Sequence, residues 1–345
     1  MHRFVSMFTT SELDSIRQII QSTVPVSIVV HRNPDGDALG SSIGLKIYIE
    51  KRYNRKVQVI IPDPFPEFLD WLPEASSTLE FEKNQEHTTA ILNQSGLIFC
   101  LDFNHPSRVG SMEDVLRKTT GVKVMIDHHQ EPDSFVDFMC SETSASSTCE
   151  LILEYIQADG GDIYLDEHIA KCLYTGIMTD TGSFRFSATT PKTHLMAARL
   201  METGFEHWKI HEAIFNQNSL NKLQLWGYAL SQKMFQVPGL NTCYFVITSQ
   251  ELEDHNYQEG DLEGLVNFAL SIRGTVLGVM FSERKGRVRI SFRSIGDFPA
   301  NQLSKKYFNG GGHINAAGGS SETSLEETVD LFLKVLPEFK DLLNQ

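Results

Sequence analysis

The sequence predicts an α/β fold with a parallel sheet in its first part and a smaller α/β domain after it. Three observations lead there. Four short apolar, mostly β-branched runs, at residues 26–30, 57–61, 97–101 and 122–126, have strand length and no polar alternation, as in strands covered on both faces. Helical spacing lies between some of them, with Leu39, Ile43 and Ile47 four apart. Three of the runs break at once into polar residues: Val30 into HRNPDGD, Leu101 into DFNHPSR and Ile126 into DHH. In open α/β sheets ligands bind beyond the carboxyl ends of the strands, so these polar groups are expected to meet in one crevice.

Taken in order, a first helix is expected from Ser11 through Ile20, with Leu13, Ile16, Ile19 and Ile20 on one face. The four strands and their helices follow. From Glu142 to about Phe235 the chain reads mostly helical. One helix there starts at a cap, Asp166, and carries Ile169, Cys172, Leu173 and Ile177 on one face. It ends near Asp180-Thr181-Gly182. Pro238-Gly239 marks residues 232–241 as a boundary. It separates a first domain, 1–231, ending in a helical linker, from a second, 242–345. Strand-like runs return at 243–248, 275–281 and 287–293. There is no internal repeat and no low-complexity tract.

The 345 residues, 41% hydrophobic and 21% charged, suit an ordinary globular protein of two domains. A net charge of -14 repels polyphosphates at long range and argues against general duplex binding. Short oligonucleotides or nucleotides need only a local basic patch. The five cysteines form no CxxC pair, which suits reduced thiols in the cytoplasm. No run has bilayer-spanning length, and the start MHRFVSMFTTSELD lacks a leader pattern. A cytoplasmic protein without membrane association is expected.

The candidate metal ligands are His31, Asp35, Asp37, Asp102, Asp127, His128 and Asp180. A lone Asp or His after a strand is more often a helix cap or turn residue. Three strand ends carrying His/Asp clusters are harder to explain that way. In HxxxDxD, Pro34 and Gly36 suit a turn that aims three ligands inward. Imidazole with carboxylates favours a borderline-hard ion such as Mn²⁺. Asp35, Asp37, Asp102 and Asp180 would carry four negative charges, which two divalent cations neutralise and which otherwise raise one another's pKa. His87, His194, His207, His211 and His255 read as surface or core residues, and His105 is left open beside Asp102.

In the second domain, eight Lys or Arg and two acids, Glu283 and Asp297, lie between Arg273 and Lys306. RVRISFRS alternates, with Arg287, Arg289, Ser291 and Arg293 on one face and Val288, Ile290 and Phe292 on the other. One face can pack and the other can meet phosphate. A solvated strand face is the plainer account. The glycines of GGGH suit close backbone approach to an anion, or a flexible turn.

HRNPDGD, Asp102, DHH at 127–129, TDTGSF at 179–184 and GGGHINAAG at 310–318 together resemble the DHH phosphoesterase superfamily with its DHH-associated carboxyl-terminal domain. The match spans nearly the whole chain. It implies a catalytic cleft between the domains and two Mn²⁺, with Mg²⁺ or Co²⁺ as substitutes. By this resemblance His31, Asp35 and Asp102 hold one ion. Asp37, Asp102, His128 and Asp180 hold the other, with Asp102 as bridge. Asp127 orients its neighbours, and His129 faces the substrate phosphate. Arg293, Ser294, Gly311, Gly312 and His313 line the substrate site. Arg108 and Arg185 rank behind them, binding phosphate or pairing with acids.

Among the superfamily, the chain is similar to the nanoRNase and pAp-phosphatase branch. That implies hydrolysis of short oligoribonucleotides, such as pApA, to mononucleotides by two-metal activation of water, and of pAp to AMP. The expected partners are short single-stranded RNA or DNA oligonucleotides or nucleotides, and a homodimer is compatible. A cyclic-dinucleotide phosphodiesterase and a RecJ-like single-strand exonuclease are the enzyme alternatives. A nucleotide-sensing binding protein is the non-enzyme one.

Overall fold

The computed structural model describes residues 7–22 and 24–344. The first six residues, part of the segment read above for a leader, lie outside the described residues. The chain forms two compact units, Met1–Gln217 and Asn218–Gln345.

The first unit runs α1 (Thr10–Gln21), β1 (Val26–Val29), α2 (Gly36–Tyr53), β2 (Val57–Ile61), β3 (Leu79–Glu80), α3 (Gln85–Gln94), β4 (Leu97–Leu101), α4 (Glu113–Lys118), β5 (Val122–Asp127), β6 (Phe138–Ser141), α5 (Thr148–Ala158), α6 (Glu167–Asp180), α7 (Pro191–Met201) and α8 (His207–Phe215). Its six strands are ordered β3-β2-β1-β4-β5-β6 and every pair is parallel. The missing polar alternation has a direct cause. Val26, Ile28, Val59 and Phe99 pack into the apolar cluster under α2, α5 and α6, while Val29, Ile60, Ile98 and Cys100 pack into a second cluster on the other face. The chain order reverses beside β1, whose neighbours are β2 and β4. The crevice at such a reversal is where open α/β sheets take ligands.

The edge strands β3 and β6 escaped the sequence reading. The first has two residues, and the second, FMCS, is mostly half-buried with an apolar run of only three residues. Helix α2 is buried along most of its length. It approaches α6 so closely that a Cβ on Gly36 would stand 2.5 Å from Thr179 Oγ1, and one on Gly40 would stand 2.4 Å from the Cys172 carbonyl oxygen. Gly36 was expected to relax a turn. Its φ is not positive, and what it supplies is room for α6.

The second unit runs α9 (Leu220–Gln232), β7 (Met234–Val237), β8 (Thr242–Ile247), α10 (Ser249–Asp254), β9 (Leu277–Arg284), β10 (Arg287–Ser294), α11 (Ala300–Tyr307), β11 (Gly311–His313), β12 (Ala316–Ser321), α12 (Leu325–Val335) and α13 (Lys340–Leu343). Its sheet is ordered β11-β12-β10-β9-β8-β7. The β8–β9 pair is parallel and the others are antiparallel. Helix α9, read from sequence as a linker of the first domain, packs Leu225 and Ala229 against Phe245 and Ile247 of the second unit. In β10 the period of two holds: Val288, Ile290 and Phe292 are buried, and Arg287 and Arg289 are exposed.

Candidate metal centre

The polar residues beyond β1, β4 and β5 converge, and α2, α5 and α6 complete the group. His31 follows β1 and is buried. Its Nδ1 lies 2.8 Å from the Arg32 carbonyl oxygen. A carbonyl only accepts, so Nδ1 carries the proton and Nε2 faces the carboxylates. It lies 3.3 Å from Asp102 Oδ2 and 3.9 Å from Asp35 Oδ1. Asp35 also caps α2, accepting from the Asp37 and Ala38 amides at 3.0 Å each. The cap reading and the ligand reading therefore apply to one residue.

His128 stands on the other side of Asp102. Its Nε2 is 3.5 Å from Asp102 Oδ1, 3.3 Å from Asp180 Oδ2 and 3.8 Å from Asp37 Oδ2. The two oxygens of Asp102 thus face two separate His/Asp groups. Asp102 is buried and has φ 63°, a left-handed conformation that Asp adopts more readily than most residues. Its amide still donates to the Ile126 carbonyl at 3.2 Å.

Helix α5 braces this arrangement in a way the sequence reading missed. The Thr148 and Cys149 amides donate to Asp37 Oδ2 and Oδ1 at 2.6 and 2.9 Å. The Thr148 hydroxyl donates to Asp102 Oδ1 at 2.9 Å. These are first-turn groups of α5, where unpaired amides and the helix dipole favour negative charge. The Ser147 cap, readable as Ser-Thr before an apolar run, was the available signal.

Asp127 ends β5 fully buried. Its Oδ1 lies 2.7 Å from His129 Nδ1, while its Oδ2 has no hydrogen-bond partner among the described residues. The His128 and His129 rings lie 4.9 Å apart; each has Asp102 Oδ1 within 4.0 Å, but their nearest carboxylates differ, Asp180 for His128 and Asp127 for His129.

Electrostatically, the cluster holds more negative charge than its histidines neutralise. Burial, then the charges of Asp102 and Asp180, raise Asp37 well above the usual carboxylate range. Burial pushes Asp180 up to about 7, against the pull of His128. Burial would lower His31, yet the hydrogen bond to Asp102 lifts it to about 9. Divalent cations would relieve this repulsion, and the imidazole–carboxylate donors fit a hard or borderline ion. Among the groups with the compactness a metal needs are His31, Asp35 and Asp102; Asp37, His128 and Asp180; and Asp102, Asp127 and His129.

Beside His31 lies a cavity of about 410 Å³ lined by His31, Arg32, Asn33, Ser107 and Arg108. His105 turns elsewhere, pairing its Nε2 with Asp133 at 3.2 Å and capping Ser107 through Nδ1. Arg185 donates to the Gly182 carbonyl at 2.8 Å.

In the second unit, Arg293 is half-buried and donates to the Phe292 carbonyl at 2.9 Å. The Ser294 hydroxyl donates to the Phe298 carbonyl at 2.8 Å and accepts from Asn315 at 2.9 Å. Its side chain is thereby occupied in holding the 294–315 connection. The GGGH stretch is neither an open loop nor a flexible turn. Gly311, Gly312 and His313 form the edge strand β11, paired with β12. Gly312 has φ 135°, and a Cβ there would meet the Ala316 carbonyl oxygen at 2.5 Å, so only glycine fits.

Residues 25–177 match the DHH family N-terminal domain and residues 241–341 match the DHHA1 domain. The chain is 30% identical over 320 residues to the bifunctional oligoribonuclease and PAP phosphatase NrnA of Thermus thermophilus, covering 91% of this chain and 90% of that protein. It is 31% identical over 300 residues to the NrnA of Bacillus subtilis, covering 85% and 89%. Among solved structures, an exopolyphosphatase-related protein from Bacteroides fragilis is 34% identical with a TM-score of 0.95, covering 100% of both chains. With a site assembled from strand ends in the first unit and a DHHA1 domain in the second, the chain belongs to the DHH family, as an NrnA-like member.

Proposed function

We propose that this DHH-family phosphoester hydrolase cleaves short oligoribonucleotides such as pApA to mononucleotides, and pAp to AMP. The observation that carries the reading is Asp102, whose two oxygens face two His/Asp groups. His31, Asp35 and Asp102 would hold one divalent cation, and Asp37, Asp102, His128 and Asp180 a second, with Mn²⁺ favoured. When bound, such ions neutralise charge on a phosphate and make water a stronger nucleophile. The names of the two NrnA relatives support the substrate class.

The chain's own residues would do the rest. Thr148 and the first amides of α5 hold Asp102 and Asp37. Asp127 anchors His129 through Nδ1, so a protonated His129 would donate from Nε2 to a phosphate oxygen. Arg293, Gly311, Gly312 and His313 would bind the substrate, and Ser294 would position its loop. Arg108 would meet phosphate at the cavity beside His31.

The test is hydrolysis by chelator-stripped protein, with and without Mn²⁺. The substrates are pApA, pAp, cyclic di-AMP and pyrophosphate. Mn²⁺-dependent loss of pApA or pAp is expected. Cleavage of pyrophosphate or cyclic di-AMP alone would reject the reading.

A further inference from the structure

We propose that the cavity beside His31 is a second phosphate site, which takes the non-scissile 5′-phosphate of the nucleotide substrate. The inference rests on the function proposed above and narrows it.

The cavity's chemistry is one-sided. Arg32 and Arg108 both line it, with Asn33. Neither guanidinium has a carboxylate within ion-pair distance among the described residues, although the chain carries 44 acids against 30 bases. Asp63, the acid whose charge is felt near Arg32, accepts instead from the Asn33 amide at 2.5 Å. Asp35, on the far side of His31, caps α2. The two arginines are also fixed with respect to each other. The Arg32 amide donates to the Arg108 carbonyl at 2.8 Å, and the Arg108 amide to that of His105 at 3.0 Å. The stem of Arg32 runs past Gly110, where a Cβ would stand 3.4 Å from its Cδ. Two planar, permanently charged forks held on joined backbones suit a phosphate dianion. Ser107 takes no part as a donor, because its hydroxyl is engaged with His105 Nδ1 at 2.8 Å.

The position of the cavity says which phosphate. His31 is its wall on one side and faces Asp102 and Asp35 on the other. A phosphate in the cavity therefore sits next to the candidate metal centre and not within it. The proposed substrates carry such a group. In both pApA and pAp, water adds to a phosphorus bonded to the 3′-oxygen of 5′-phosphoadenosine. The P–O3′ bond breaks, the 3′-oxygen takes a proton, and AMP leaves. The partner product is a second AMP from pApA and inorganic phosphate from pAp. A site that reads the 5′-phosphate of the shared leaving nucleotide accounts for one centre serving both.

The experiment compares pApA with ApA, which differ only in that phosphate, for the Mn²⁺-loaded wild type and Arg32→Gln. The wild type should favour pApA in kcat/KM by about tenfold or more, the scale of charged hydrogen bonds. In the variant this ratio should collapse toward one, chiefly through KM for pApA. An unchanged ratio overturns the proposal. So does an equal loss on both substrates, which would place the guanidinium on the scissile phosphate. If neither dinucleotide is cleaved, the functional reading fails by itself and the site is judged by calorimetric titration with AMP. Binding about tenfold weaker in Arg32→Gln sustains the site, and equal binding overturns it.

Discussion

Thr148→Val removes a hydroxyl and leaves a side chain of nearly the same shape. In the wild type that hydroxyl donates to Asp102 Oδ1 at 2.9 Å, in a buried setting. The same oxygen faces His128. A hydrogen bond to a charged group contributes about 1.5–3 kcal/mol, and part of that loss should appear as a lower melting temperature with or without ions. The diagnostic effect is on ion binding. Loss of a group that orients a ligand typically costs about 10–100-fold in metal affinity. The amide bonds from Thr148 and Cys149 to Asp37 belong to the backbone and should survive, so the fold should hold. Calorimetric titration of stripped protein with Mn²⁺ should show weakened binding with Val and recovery with Thr148→Ser. A valine variant that melts lower yet binds Mn²⁺ as tightly as wild type would refute the reasoning, because the hydroxyl would then serve packing alone.

Three further perturbations have defined outcomes. Asp102→Asn keeps a residue that tolerates a left-handed φ but removes the charge facing both groups. Turnover should be lost and bound Mn²⁺ should fall, read by rate assay and metal analysis of the purified protein; full retention of two ions would remove the bridge. Gly36→Ala places a methyl against Thr179 and should cost about 1–3 kcal/mol of stability by overpacking, read by denaturant unfolding, while weakening Mn²⁺ binding because Asp35 and Asp37 flank it. Glu251, in the second unit, would be raised by burial, but Lys233, the Thr248 amide and Tyr228 hold it down at about 2. A depressed folded-state pKa adds stability above the unfolded value, near 4.5, that disappears as pH falls toward 2. Glu251→Gln should therefore cost about 1–2 kcal/mol at neutral pH, after discounting for solvent screening, and the gap from wild type should close in acid.

The parts of the molecule legible in the sequence share a local signal. The four central strands were visible because burial on both faces writes an unbroken apolar run, and Asp166 because a cap is a one-residue motif. The clustering of His31, Asp102 and His128 followed from the parallel sheet, which brings all carboxyl ends of its strands to one edge. Thr148 was not legible, because its importance comes from α5 pointing at residues 46 and 111 positions away. Arg32 had the same difficulty, since its meaning depends on Arg108. The GGGH strand was obscured by composition, as glycine signals a turn locally but here permits pairing at an edge.

The candidate ligands run from His31 to Asp180, and no two of the contributing strands are made by adjacent residues. During synthesis the group that Asp180 completes, with Asp37, Asp102 and His128, cannot close until α6 (Glu167–Asp180) has been made. Until then Asp37 has no complete set of ligands to share a cation with Asp102. The second ion should therefore bind the finished first unit and not its fragments, stabilising it by mass action. Fragments ending before Asp180 should gain less protection from proteolysis when Mn²⁺ is added than the complete chain, whose gain should rise with the logarithm of the free ion concentration.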